Sequence, residues 1–221
     1  MICGVIVVEG CVESLEAAVA AAGGGAQRLE LCANLAAGGT SPDGATLAAC
    51  VSQSTIPVFV LVRPRPGDFR YSAAEHAVML DEIRRAKDAG AHGIVTGALR
   101  AGGSVDETLT GELLDAAQPL PLTFHRAFDE CPDPAQALET VIALGVTRVL
   151  TSGGAATAPQ GAATIAKLVR RAAGRIGILA GGGITADNVA ELVRTSGVRE
   201  VHLSTKDAEK IRRVVESVRS R

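Results

Sequence analysis

Short runs of β-branched and aliphatic residues alternate with Ala-rich stretches from one end of the chain to the other, and no other feature constrains the fold as much. Strand candidates begin near Val5, Arg28, Pro57, His92, Pro121, Thr147, Ile176 and Glu200, which makes eight units of near-equal length. Strands separated by helical stretches of this size pair in parallel and need helices to cover both faces or one closed face. Eight such units predict an α/β fold of the (β/α)8 TIM barrel type, a single domain over residues 1–221. A doubly wound open sheet is the alternative, because the same elements can be laid flat.

The helical stretches carry their own start signals. Ser72-Ala73-Ala74-Glu75 is a capping box ahead of Met79, Leu80, Ile83 and Ala86 on one face, and Gly90 stops that helix. Similar reasoning predicts helices over 14–22, 42–53, 106–117, 134–144, 160–173, 185–195 and 207–218. The apolar run Met1 to Val8 is interrupted by Glu9 far short of a membrane span, so it reads as a buried strand of a cytoplasmic protein.

Composition narrows the partners. Lys plus Arg number 22 against 24 Asp plus Glu, a net charge of −2, and no basic run stands out in the first two hundred positions. That argues against a nucleic-acid or anionic-membrane surface. Aromatic residues are 2% of the chain, so the core is aliphatic and platforms for stacking bases or sugars are few.

Successive strand side chains point to opposite faces, so the apolar parity of each strand identifies its helix-covered side and leaves the other parity inside the barrel. In Arg28-Leu29-Glu30-Leu31-Cys32 the leucines take the outer face, which sends Arg28, Glu30 and Cys32 inward. The same reading turns Glu9 and Cys11, Arg63, Thr123 and His125, and Glu200, His202 and Ser204 inward. Glu9, Glu30, Arg63, His125 and His202 thereby become acid/base or binding candidates at the face where such barrels do chemistry. The alternative is a self-satisfied layer of ion pairs closing the barrel top.

Three Gly-rich turns follow strands, the first of them Gly38-Gly39-Thr40. Gly181-Gly182-Gly183, ahead of a helix expected from Thr185, and Thr151-Ser152-Gly153-Gly154 are candidate anion cradles, with Arg65 and Arg63 as cations on the stiffened loop Arg63-Pro64-Arg65-Pro66-Gly67-Asp68. The glycines serve equally well to permit tight turns. His125-Arg126-Ala127-Phe128-Asp129 concentrates an acid/base candidate, a cation and an orienting carboxylate in one turn, unless Arg126 and Asp129 simply pair.

Of the five cysteines, Cys11 and Cys32 end neighbouring strands with the same inward parity, which allows their sulfurs to bridge one soft metal ion. Two thiolates suit Cu(I) better than Zn2+, which takes four ligands, and His202 or His125 can enlarge the set. The alternative is a pair of small buried hydrophobes. Cys3 and Cys50 read as packing residues and Cys131, flanked by prolines, as exposed; His76 reads as a helix-surface residue and His92 as a strand start.

Together Val8-Glu9-Gly10-Cys11-Val12-Glu13-Ser14, Arg28-Leu29-Glu30-Leu31-Cys32-Ala33, Gly38-Gly39-Thr40-Ser41-Pro42, Arg63-Pro64-Arg65-Pro66-Gly67-Asp68-Phe69, Thr123-Phe124-His125-Arg126-Ala127-Phe128-Asp129 and Leu150-Thr151-Ser152-Gly153 resemble the CutC copper homeostasis family. The resemblance implies a cytoplasmic TIM barrel, a homo-oligomer such as a dimer or tetramer, with Cys11 and Cys32 on the positions of the family's proposed Cu(I) ligands. Gly10, Pro66 and the short segment after Ser204 depart from the family pattern. Two functions follow: Cu(I) buffering through the thiols, or an enzyme acting on a small anionic, phosphorylated or carboxylated metabolite through the charged cluster.

Overall fold

The strands β1 (Val7–Val12), β2 (Arg28–Leu31), β3 (Val58–Leu61), β4 (Gly93–Thr96), β5 (Leu122–Phe124), β6 (Arg148–Thr151), β7 (Gly177–Gly181) and β8 (Glu200–Ser204) pair in parallel in chain order. β8 returns to β1, with Glu9 beside His202 and Cys11 beside Ser204, so the sheet is a closed barrel and has no free edge. The closure settles the choice against the open sheet. The structure is a computed structural model that describes residues 5–204 and 207–219; Cys3, the start of the Met1 to Val8 run and the two residues after Ser204 lie outside that range.

Each strand is followed by a helix: α1 (Leu15–Gly23), α2 (Gly44–Gln53), α3 (Ala73–Asp88), α4 (Glu107–Ala117), α5 (Pro134–Leu144), α6 (Ala162–Ala172), α7 (Val189–Ser196) and α8 (Ala208–Arg219). Side-chain caps explain most of the starts. Ser72 and Glu75 form the predicted capping box, while Asp43, Asp106 and Asp133 accept from the first-turn amides of α2, α4 and α5. α7 begins four residues later than Thr185 because Asn188 bridges the preceding turn, accepting from Thr185 N and donating to Gly183 O.

Two separate apolar layers result from the strand alternation. The outer-parity residues Val8, Leu29, Leu31, Val58, Val60, Ile94, Leu122 and Val149 join the helices in one continuous core. Inside the barrel lies a small cluster of Cys11, Cys32, Phe59, Leu61 and Val95. Phe59 fills the space that its register partner leaves: a Cβ on Gly93 would come within 2.4 Å of the phenyl ring. Cys131, expected to be exposed, is buried at 8% exposure, because the turn that precedes it folds its thiol back toward the Ala127 carbonyl.

Candidate functional site at the barrel mouth

The interior is built in layers from the N-terminal ends of the strands upward. At the bottom, Arg28 pairs through Nε with Glu9 and through Nη2 with Glu200 Oε2 at 2.6 Å. Arg148 donates to the same Glu200 oxygen at 2.6 Å and to Thr123 Oγ1 at 3.2 Å. Both guanidinium groups lie over the Phe59 ring, 5.2 and 5.5 Å from its centroid. Each charge in this layer is paired and hydrogen-bonded, which buried ions require.

His202 links this layer to the next through a 2.8 Å contact between Nδ1 and Glu9 Oε1. Burial alone would raise the Glu9 pKa, but the His202 hydrogen bond and the Arg28 charge outweigh it and hold the carboxylate well below its usual range. Burial opposes the charged form of His202, yet the Glu30 and Glu9 carboxyls raise its pKa. Glu30 goes the other way from Glu9: burial pushes its carboxyl up, against the pull of His202 and with the help of the Glu9 charge.

The thiols sit above. Cys11 Sγ is 3.5 Å from Cys32 Sγ and 3.5 Å from Glu30 Oε1, and Cys32 Sγ donates toward the Val12 carbonyl. The hydrogen bond with Cys32, burial and the Glu30 charge raise the Cys11 pKa well above that of a free thiol. Cys11, Glu30 and His202 offer three donor atoms within 4.8 Å of one another.

A cavity of about 220 Å3 opens over this layer, and Cys11, Glu30, Arg63, Phe69, His125 and His202 line it. Arg63 is held on three backbone carbonyls, Nη1 on Gly38 O and Gly39 O at 3.0 and 2.9 Å and Nη2 on Gly67 O at 2.7 Å. The Gly38-Gly39 turn thus presents carbonyls to a cation. His125 accepts from Ala127 N through Nδ1 at 3.3 Å and so caps the short turn Arg126–Glu130. Burial and the Arg63 charge lower its pKa to about 3, against a smaller backbone contribution, so the imidazole is neutral and its proton resides on Nε2. Glu30 Oε2, Arg63 Nε and His125 Nε2 are buried atoms with no hydrogen-bond partner. All three are closed off from solvent and so lie within the cavity wall, and the Arg63 side chain is also in hydrogen-bond contact with Tyr71.

Other candidates lie elsewhere. Asp129 accepts from Ser152 N at 3.0 Å, Gly154 N at 3.1 Å and Thr151 Oγ1, while Gly153 N donates to Thr151 Oγ1 at 2.8 Å. Arg126 completes this cluster through Asp129 and Ser152 Oγ, both at 2.8 Å. The Ser152-Gly153 cradle therefore already holds the chain's own carboxylate. Arg65 pairs with Glu75 and Asp68 at the surface, away from the cavity. Of the three glycines, Gly182 reaches the cavity; Gly181 ends β7, and the Gly183 carbonyl is taken by Asn188. Phe69 and Arg148 were not singled out from sequence, although a lone aromatic after the Arg63 loop and a charge at the start of β6 were the available signals.

The sequence pattern of the CutC family matches residues 6–207. The chain belongs to the CutC family. A family protein CutC from Pasteurella multocida is 47% identical over 199 residues, covering 90% of this chain and 82% of the relative. A human relative named copper homeostasis protein cutC homolog is 48% identical over 198 residues, covering 90% and 72%. The solved structure of CutC from Streptococcus agalactiae superposes with a TM-score of 0.86 at 35% identity, covering 90% of this chain and 98% of that one. A phosphoribosylanthranilate isomerase from Pyrococcus furiosus shares the barrel alone, at a TM-score of 0.63 and 16% identity. Among the described residues of this family member, no helix is long and apolar enough to cross a membrane.

Proposed function

We propose that the chain acts in copper homeostasis by holding Cu(I) as cargo between Cys11 and Cys32 at the barrel mouth. One observation carries this reading: two sulfurs on neighbouring strands 3.5 Å apart, one of them lining an open cavity. Soft sulfur donors favour Cu(I), whose low coordination number needs no tetrahedral set of the kind zinc takes. His202 is the neighbouring nitrogen donor and Glu30 the neighbouring oxygen. The name of the human relative, copper homeostasis protein cutC homolog, supports the same cargo.

Thiols used this way must stay reduced, which favours the cytoplasm as their compartment. A homo-oligomer belongs to the same reading, and sedimentation of the reduced chain tests it. The decisive experiment is an anaerobic Cu(I) competition titration of wild type against a Cys11→Ser, Cys32→Ser double variant. Tight binding of one copper per chain that disappears in the double variant is the expected result. Binding indifferent to both substitutions overturns the proposal.

A further inference from the structure

Cys11, Glu30 and His202 bring a sulfur, an oxygen and a nitrogen donor within 4.8 Å of one another, and all three side chains line the cavity at the barrel mouth. Each is more than nine-tenths buried, at 1%, 5% and 8% exposure. Cys11 Sγ donates to Glu30 Oε1 at 3.5 Å, while Glu30 Oε2 has no partner. Among the described residues Glu30 has no arginine or lysine within 4.0 Å, and its ionic neighbour is His202, at 4.0 Å. Arg28 is spent on Glu9 and Glu200, and Arg63 on backbone carbonyls. A buried carboxylate ordinarily has a cation beside it or coordinates a metal. Glu9 meanwhile holds the His202 ring in place through the contact with Nδ1.

We propose that Cys11, Glu30 and His202 hold a divalent metal ion of the zinc type, with its fourth position open to the cavity. Zinc accepts thiolate, imidazole and carboxylate in one set, and its open sites have three protein ligands. Bonds of about 2.3 Å to sulfur and about 2.0–2.2 Å to oxygen, at a tetrahedral angle, set those two donors about 3.5 Å apart. Cys11 Sγ and Glu30 Oε1 already stand at that separation, 3.5 Å. The ion takes the place of the proton that Cys11 now donates to Glu30, and that proton passes to solvent. A thiolate and a carboxylate with a neutral imidazole cancel the charge of a divalent ion, which suits a buried position; Cu(I) on the same three donors would leave one negative charge uncompensated. Cys32 lies outside the group, its sulfur turned to the Val12 carbonyl. The chain therefore leaves the fourth position to water or a small oxygen ligand in the cavity of about 220 Å3. The proposal does not rest on copper capture: the two readings share Cys11, but the copper reading needs Cys32 and this one does not, so each can fail alone.

The test titrates the full-length, reduced, metal-free chain anaerobically with zinc chloride against a chromophoric chelator and records the X-ray absorption of the loaded wild type. One zinc per chain is expected, with one sulfur at about 2.3 Å and nitrogen or oxygen donors at about 2.0–2.2 Å. Cys32→Ser should bind zinc as wild type does. Glu30→Gln and His202→Phe should each weaken zinc binding by more than about a hundredfold, the upper cost of losing an outer partner of a metal ligand. Two sulfurs around the metal in the wild-type spectrum overturn the site, whether or not any variant folds, and so does the absence of one zinc per chain. Zinc binding lost in Cys32→Ser and kept in Glu30→Gln overturns it as well, by assigning the metal to the thiol pair.

Discussion

The lower and upper halves of the barrel interior hold similar residues in opposite states. Around Phe59, Arg28, Arg148, Glu9 and Glu200 pair with one another, and their charges are satisfied within the chain. Around the mouth, Glu30 and His125 each keep one buried atom without a hydrogen-bond partner, and Arg63 is held on backbone carbonyls and beside Tyr71 in place of a carboxylate. The alternative reading of the sequence, a self-satisfied ion-pair layer, therefore describes the bottom of the barrel and not its top. Charge inside the barrel closes on itself at the bottom, where opposite charges meet, and is held by backbone groups at the top.

Breaking the lower half should cost the most. Arg28→Leu leaves Glu9, 1% exposed, without its guanidinium partner and is expected to destabilise the chain by about 3–5 kcal/mol in urea unfolding. A loss under about 1 kcal/mol would mean the lower network is no more structural than the mouth.

The next effect tests the mouth through pH. The His125 pKa falls from 6.5 to about 3 on folding, so between those values the unfolded chain binds a proton that the folded chain refuses. Stability from this group is complete above pH 6.5 and is lost as pH falls toward 3, at about 1.4 kcal/mol per pH unit. Glu9, lowered as well, adds acid lability of the same sign below the ordinary carboxylate range, whereas Glu30 and His202, both raised, oppose it. The quantity to measure is therefore the difference between the wild-type and His125→Gln stability curves, which should shrink steadily as the pH is lowered. Parallel curves would show that His125 takes up its proton alike in the folded and the unfolded chain.

The smallest effect compares two arginines of one loop. Arg65 is about a third exposed and pairs at the surface, so Arg65→Ala should change stability by under about 0.5 kcal/mol and leave Cu(I) binding as it was. A large loss would place Arg65 with Arg63 in the interior network.

Much of this arrangement was legible in the residues. Alternation in Arg28-Leu29-Glu30-Leu31-Cys32 identified the inward face correctly, because a helix-covered barrel imposes one apolar parity on every strand. Ser72 and Glu75 announced α3 through a cap that needs only four residues. Local rules failed where partners are far apart in sequence. Asp129 fills the Ser152 loop from 23 residues away, and no spacing rule separates a loop that awaits an anion from one that already has it. Cys131 reads as exposed from its prolines, yet its turn folds inward.

By itself, the sequence determined the repeating β/α order, the inward parity of the polar strand side chains and the family, because periodicity, caps and motif order are properties of neighbours along the chain. Only the tertiary structure decided that Cys11 and Cys32 meet at 3.5 Å, that Arg28 and Arg148 share Glu200, and that Arg63 rests on the carbonyls of Gly38, Gly39 and Gly67. Those outcomes depend on which strands become neighbours when the sheet closes and on which acceptors remain once the backbone has made its own hydrogen bonds.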